Sequence, residues 1–143
     1  MGLNPRKKFE VFGEPVEILV SSEETNGAFC VLTQISPPGG GPPPHIHQRE
    51  DELFTVMEGE FEIFDGKDWH PLRAGESAYK LRGSCHTFRN SGATPGKIHV
   101  VVVPGGLDVY LEKLSTLSLP PDIEEVIAIS NPYGITFPPP PQV

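Results

Sequence analysis

Few of the features that mark a membrane, secreted or nucleic-acid-binding protein are present in this chain. Only two cysteines occur in 143 residues. Cys30 and Cys85 are too far apart for a C-x-x-C pair and too few for a disulfide framework, so free thiols in a reducing compartment are expected. No apolar run approaches the roughly 20 residues of a membrane-spanning helix. The segment Met1–Lys8 leads into mixed polar sequence rather than the apolar core of a secretory signal. Together these features predict a cytoplasmic protein. Basic residues are scarce too, with 11 lysines and arginines against 19 acidic residues and a formal charge of −8. That balance argues against partners whose negative charge must be neutralised, so neither nucleic acid nor an anionic membrane surface is expected.

Proline and glycine, in contrast, are plentiful, with 17 and 15 residues. Such a content suits short strands joined by tight turns better than long helices. The two residue types cluster between apolar alternations, and 37% of the chain is hydrophobic, which separates it from a disordered polymer. The length fits one domain over 1–143, with a barrel over about 9–104 and C-terminal helices and tail over about 105–143.

The fold class predicted is all-β and antiparallel. Strand-like runs are Phe9–Phe12, Val16–Val20, Ala28–Ile35, Leu53–Met57, Glu60–Phe64, Ser77–Leu81, His86–Arg89 and Lys97–Val103. In Ala28–Ile35, the residues Phe29, Val31 and Ile35 share a parity, predicting a half-buried strand with its bulk on that face. Glu58-Gly59 and Asp65-Gly66 predict hairpins, and strands linked in this way give a meander that closes or doubles to remove its edges. Pro37–Pro44 is a loop, because proline donates no ladder hydrogen bond, and it delivers His45. Leu107, Tyr110, Leu111 and Leu114 form a helical stripe after the last strand. Asp122 and Glu125 predict the capped start of a second helix, which carries Ile123, Val126 and Ile127 on one face and ends at Pro132. Pro138–Pro141 has the composition of an extended polyproline end and is assigned no function.

Chemistry concentrates around four residues. On a strand, His45 and His47 project from the same face, close enough for both rings to reach one metal. Such a pair also occurs on ordinary wet surfaces, so it needs further ligands. Glu52 shares its parity with Phe54 and Val56, which predicts an inward carboxylate among apolar neighbours. A buried charge of that kind is costly unless a cation stabilises it. The five-residue step from His47 to Glu52 reverses strand parity, so a turn or bulge must fall within Gln48–Asp51. Glu50 and Asp51, beside Arg49, read as a charged, solvated turn, and Glu52 is taken as the ligand. His86 follows the turn residue Gly83 and shares a face with Phe88; alone it reads as a structural or surface histidine. His70 and His99 receive the same reading. Cys85 has the opposite parity to His86 and points away from it, while Tyr79 and Arg82 are candidates for the mouth of the barrel.

With these residues the chain resembles the cupin superfamily. The first cupin motif, G-x5-H-x-H-x4-E-x6-G, is matched by Gly39, His45, His47, Glu52 and Gly59. The second, G-x5-P-x-G-x2-H-x3-N, is matched by Gly75, Gly83, His86 and Asn90, with Leu81 in place of the proline. The resemblance implies a small jelly-roll barrel with one divalent transition metal held by His45, His47, Glu52 and His86. Three imidazoles and a carboxylate suit Fe, Mn, Ni, Co or Zn better than copper(I), without choosing among them. In an octahedron these four ligands leave two positions for water, substrate or dioxygen.

The segments Pro104–Leu107, Pro120–Asp122 and Tyr133–Ile135 are similar to the C-terminal part of bacterial single-domain cupins related to quercetin dioxygenases. This implies an oxidoreductase, a metal-dependent dioxygenase acting on a small chelating phenolic, flavonol-like or enediol substrate. Glu52 would be the catalytic proton acceptor. Phe54, Val56 and Phe88 would face a flat ring, or else form ordinary barrel core. The alternative is a noncatalytic metal-bearing barrel that binds a small molecule as a sensor, since a fold does not fix an activity. The resemblance also implies a homodimer formed through sheet faces or an exchanged N-terminal strand.

Overall fold

The computed structural model describes residues 5–138. Among the described residues the chain forms β1 (Lys7–Val11), β2 (Glu14–Val20), β3 (Cys30–Ser36), β4 (His45–His47), β5 (Asp51–Glu58), β6 (Glu60–Phe64), β7 (Trp69–Arg73), β8 (Ser77–Lys80), β9 (Cys85–Asn90), β10 (Gly96–Val103), α1 (Leu107–Leu114), α2 (Ile123–Ser130) and β11 (Ile135–Thr136). A 3₁₀ turn at Asn131–Tyr133 joins α2 to β11. Neither helix is long and apolar enough to cross a membrane. The polyproline expectation beyond Pro138, and Met1 to Asn4 of the N-terminal segment, lie outside the described residues.

The strands form two antiparallel sheets, one ordered β1-β2-β3-β10-β5-β8 and the other β11-β4-β9-β6-β7. From β3 to β6 the chain changes sheet at every step, and it does so again from β8 to β10. This is the jelly-roll arrangement that the cupin resemblance implies, and it replaces the meander expected from the hairpin signals. Glu58-Gly59 is accordingly no hairpin, because β5 pairs with β8 and β10 while β6 pairs with β7 and β9. Gly59 is instead a corner between sheets, with φ +88° and room for a Cβ only 3.1 Å from the Gly96 Cα. Asp65-Gly66 does open a hairpin, closed by the Phe64–Trp69 pair, and its second strand, β7, is not foreseen from the sequence.

The core fills the space between the sheets. Leu32, Val100 and Phe54 lie side by side on β3, β10 and β5, with Ile98 and Val56 in the next inward row. Phe88 packs at 5.9 Å from Phe54 and 6.0 Å from Phe61, centroid to centroid. Each such side chain removed from water contributes roughly 1.5–3 kcal/mol. The expected parity of β3 is reversed. Cys30, Leu32 and Ser36 are buried, whereas Phe29 and Ile35 are 37% and 38% exposed. Pairing decides this: Leu32 stands opposite buried Ile18 and Val100, and Ile35 opposite Lys97 on the outer face.

Helix α1 caps one end of the barrel with Leu107, Tyr110 and Leu114. Its start is tied down by Asp108, whose carboxylate accepts from the Ser22 backbone N–H at 2.9 Å and from the Ser22 hydroxyl. Asp122 caps α2 as predicted, accepting from the Glu124 N–H at 2.9 Å. The predicted face of α2 is corrected, since Ile123 and Ile127 are exposed while Val126, Ile129 and Ser130 turn inward. The Ser130 hydroxyl donates to the Val126 carbonyl at 2.6 Å and accepts from the Tyr110 hydroxyl at 2.7 Å, which fixes the rotation of the helix against α1.

Asn90 closes the end of β9. Fully buried, it donates to the carbonyls of Ser36 at 2.9 Å and Thr94 at 2.8 Å and accepts from the Gly92 N–H. Asn90→Ala would strand these groups away from water, at about 1–3 kcal/mol for each one left unsatisfied. We therefore expect the urea midpoint to fall by the equivalent of at least about 2 kcal/mol. An unchanged midpoint would show that Asn90 is no anchor.

Candidate metal centre

His45 and His47 enter the barrel on β4, a strand of only three residues. The loop before it is held as tightly as a strand. The Gly39 N–H donates to the Asn90 carbonyl and the Asn90 N–H to the Gly40 carbonyl, both at 2.9 Å, while the Thr87 hydroxyl donates to the Pro42 carbonyl at 2.5 Å. Gly41 passes so close to β9 that a Cβ there would lie 2.1 Å from the Phe88 carbonyl oxygen, and its φ of +141° also demands glycine. The path of the loop, and with it the position of His45, is therefore set by β9.

His86 on β9 stands directly opposite His45 across the ladder, their rings 4.5 Å apart. Glu52 arrives from the facing sheet. The parity reversal that the sequence requires falls at Gln48–Glu50, where the chain leaves β4 in one sheet and begins β5 in the other. The Gly83 N–H, donating to the His47 carbonyl at 2.7 Å, closes the loop between β8 and β9 onto the end of β4.

The structure thus brings His45, His47, Glu52 and His86 together, with one ligand atom from each lying within 4.8 Å of the others. His47, Glu52 and His86 are buried, and His45 is half-buried in the wall of a cavity. All three Nδ1 atoms face an acceptor: His45 the Pro43 carbonyl at 2.8 Å, His47 the Glu50 carboxylate at 3.1 Å and His86 the Ser84 carbonyl at 3.4 Å. A neutral imidazole that donates through Nδ1 presents a lone pair at Nε2. When neutral, the three rings therefore each offer an Nε2 lone pair, and those of His47 and His86 stand beside the Glu52 carboxylate.

Such a group of acceptors fits a cation. His86 Nε2 and Glu52 Oε2 stand 2.6 Å apart without hydrogen-bond alignment, and both are buried without a hydrogen-bond partner. His47 Nε2 lies 3.4 Å from the other oxygen of Glu52. A metal ion at about 2.0–2.2 Å from each ligand would satisfy atoms that are otherwise orphaned.

The electrostatics agree with this reading. Burial, helped by the neighbouring His86 and His47, pushes His45 down to about 3, so it is neutral at physiological pH. Burial works against the charge on Glu52, but His47, His86 and His45 outweigh it and hold the carboxyl down at about 2. For His47, burial opposes protonation, yet Glu52 and then Glu50 keep its pKa above the ordinary histidine value.

Several expectations from the sequence are corrected here. Glu50 is not in a solvated turn: it is 5% exposed and its carboxylate orients His47. The signal lay in its place three residues after a ligand, in a turn that must fold back on the barrel. Asp51 does behave as a solvated residue, pairing with Arg82 at 3.1 Å. Arg82 is occupied there, and Tyr79 is 72% exposed on the outer face opposite Leu53, so neither lines the cavity. Val56 is core, whereas Phe54 and Phe88 do line the cavity. His70 pairs with Asp65 on exposed β7, and His99 sits on the outer face between Thr33 and Thr55. Cys30 and Cys85 are unpaired. Also unforeseen is β11, whose Ile135 pairs with His47 and which brings Phe137 to 6.4 Å from the His45 ring.

Comparison with known proteins matches a cupin domain family to residues 32–103, half of the chain. An oxalate-binding protein from Thermotoga maritima is 32% identical over 68 residues, 47% of this chain and 55% of that protein. The chain spans 61% and 55% of the lengths of the curated relatives it matches. Among solved structures, a predicted oxalate decarboxylase from Thermotoga maritima superposes with TM-score 0.61 at 24% identity, covering 73% of this chain and 99% of the other. KdgF from Halomonas sp. superposes with TM-score 0.63 at 17% identity, covering 74% and 91%. At these identities the structural likeness speaks for the fold alone.

Glu50→Gln removes the carboxylate that orients His47 and raises its basicity. Loss of such a partner typically costs about 10–100-fold in metal affinity. Competition against a chromophoric chelator should show that loss in a protein that still folds. Because His47 holds its proton above the ordinary histidine pKa, a metal must displace that proton, so affinity should weaken as pH falls through the histidine range. The stability that protonated His47 gives the metal-free protein has the opposite sign: it is present at acid pH and lost as pH rises through the raised pKa. Equal affinity in Glu50→Gln and wild type would reject the assigned role.

Proposed function

This chain belongs to the cupin domain family, and we propose that within it the protein is a metal-dependent dioxygenase acting on a small chelating phenolic, flavonol-like or enediol substrate. The observation that carries this reading is the convergence of three histidines and Glu52 in the wall of a largely apolar cavity. A divalent Fe, Mn, Ni, Co or Zn held there would supply Lewis acidity and open coordination positions.

The chain's own residues do the rest. Pro43, Glu50 and Ser84 hold the imidazoles in register. Glu52, beside the histidines, would accept the proton that the substrate hydroxyl gives up. Phe54 and Phe88 present apolar walls to a ring, and Phe137 and residues of α1 complete the lining. The second reading, a noncatalytic small-molecule binder, is favoured by the matched relative that is named an oxalate-binding protein.

We place the protein in the cytoplasm as a homodimer. Val31, Val101, Leu53 and Tyr79 lie in register across the outer face of the six-stranded sheet, a row of apolar side chains with Leu53 42% and Tyr79 72% exposed. A second copy, related by a two-fold axis, offers the same row in return. Sedimentation should give a dimer at micromolar concentration, and a Leu53→Asp, Tyr79→Arg double variant should give a monomer. A monomeric parent would overturn the pairing.

Elemental analysis of protein purified without added metal or affinity-tag nickel should find one transition metal per chain, and none in a His45→Ala, His86→Ala variant. Oxygen uptake with a panel of flavonols and enediols then separates the two readings. Consumption that is lost in the variant supports the dioxygenase, whereas no consumption with any metal would leave the binder.

A further inference from the structure

The cavity has a second polar pole, far from the histidines. Glu14 on β2 and Gln34 on β3 line it there. The Glu14 carboxylate accepts from Gln34 Nε2 at 3.0 Å, from the Ser36 hydroxyl, and from the Gly41 N–H at 3.0 Å. An ionised carboxylate offers about four acceptor sites, so one is left for a ligand. Among the described residues, the Gln34 side-chain oxygen has no hydrogen-bond donor.

The register gives the separation of Gln34 from Glu52 along the sheet. Gln34 is paired with Ile98 and Glu52 with Val102, four residues apart on β10, or about 13 Å along the strand. Between the poles the lining is apolar. Among the described residues that line the cavity there is no lysine or arginine.

Charge then selects the ligand. At the histidine end a divalent ion together with Glu52 leaves one net positive charge, which a ligand losing a single proton on chelation cancels locally, while Glu14 is held by its own three donors. A dianion would leave an excess negative charge in an apolar chamber whose other charged group is the Glu14 carboxylate, and burial of an unbalanced charge is costly. A short dianion would also leave the far pole unused.

We infer that the cavity takes an elongated, uncharged, ring-bearing molecule that chelates at the histidine end and donates a hydrogen bond at the other end to Glu14 and Gln34, in preference to oxalate or a sugar phosphate. This rests on the metal-site reading above but not on turnover. Glu14 and Gln34 are therefore specificity residues, and the fit can be read by binding alone.

The test uses the full chain loaded with redox-inert Zn²⁺ and isothermal titration with three probes: 4-phenylcatechol, the same molecule bearing a 4′-hydroxyl, and oxalate. In the wild type the 4′-hydroxyl should improve affinity about tenfold, as expected for a hydrogen bond to a charged acceptor, and oxalate should bind more weakly than either catechol. In Glu14→Gln the advantage of the hydroxyl should fall below about twofold. Gln34→Leu, which spares the bonds of Glu14 to Ser36 and Gly41, should reduce it as well and guards against a Glu14 variant that merely displaces the loop. Equal affinity for both catechols in the wild type, an undiminished advantage in both variants, or oxalate binding tightest would overturn this inference alone. Failure of both catechols to bind would overturn the metal-site reading with it.

Discussion

The constraint on which the rest depends is that three imidazole nitrogens and a carboxylate, all acceptors, are held face to face inside an apolar barrel. Without a cation or protons between them this arrangement is repulsive, and the water that would relieve the repulsion is largely excluded. Stability of the barrel therefore has to hold the ligands against their own preference. Holding them takes a partner for every Nδ1: two backbone carbonyls, Pro43 and Ser84, and one buried carboxylate, Glu50. All three partners lie in connections between strands, so the loops are as much part of the site as the strands.

Those loops are rigid for identifiable reasons. Pro37–Pro44 has no ladder of its own, but glycine lets it approach β9 closely enough to exchange backbone hydrogen bonds with Asn90, and Thr87 holds Pro42. Asn90 in turn joins β9 to the end of β3 through the Ser36 carbonyl. The two sheets are thereby locked at the corner where the histidine loop begins. Glu14 extends the same lock to β2 by accepting from Gly41. A displacement of β9 would be felt by His86 directly and by His45 through the loop.

How much of this could be read from the sequence follows from the range of the interactions. His45, His47 and Glu52 are legible because they stand at the spacing of the first cupin motif, and the parity reversal between His47 and Glu52 demands a turn or bulge within Gln48–Asp51. The two helices were legible because their stripes and the Asp122 cap are local. Strand β3 was misread because bulk on one parity says nothing about what pairs with the other, and Leu32 is turned inward by Ile18 and Val100 from distant strands. The rotation of α2 was hidden for the same reason, being set by the bond between Tyr110 and Ser130. Glu50 was missed because a charged triplet in a turn has the composition of solvent-facing chain, and only the three-dimensional path carries it under His47. Strand β11 is two residues long and exists by pairing with β4, so no periodicity could reveal it.

The matched family region, residues 32–103, supplies all four candidate ligands, whereas much of the chamber around them comes from elsewhere. Phe12 and Glu14 precede it, and Leu107, Tyr110, Leu114, Ile135 and Phe137 follow it. A relative can therefore share the metal-binding part of the barrel and still enclose a chamber of different shape and charge. That division explains why a common fold does not carry a common substrate. The strands of the core are constrained by pairing and by the ligand geometry, leaving little freedom to vary there. The flanking segments need only cover an open end of the barrel, and each apolar or acidic side chain they place inside changes which molecule can reach the ligands. In this chain the flanks contribute aromatic rings, leucines and one carboxylate to the lining of the cavity.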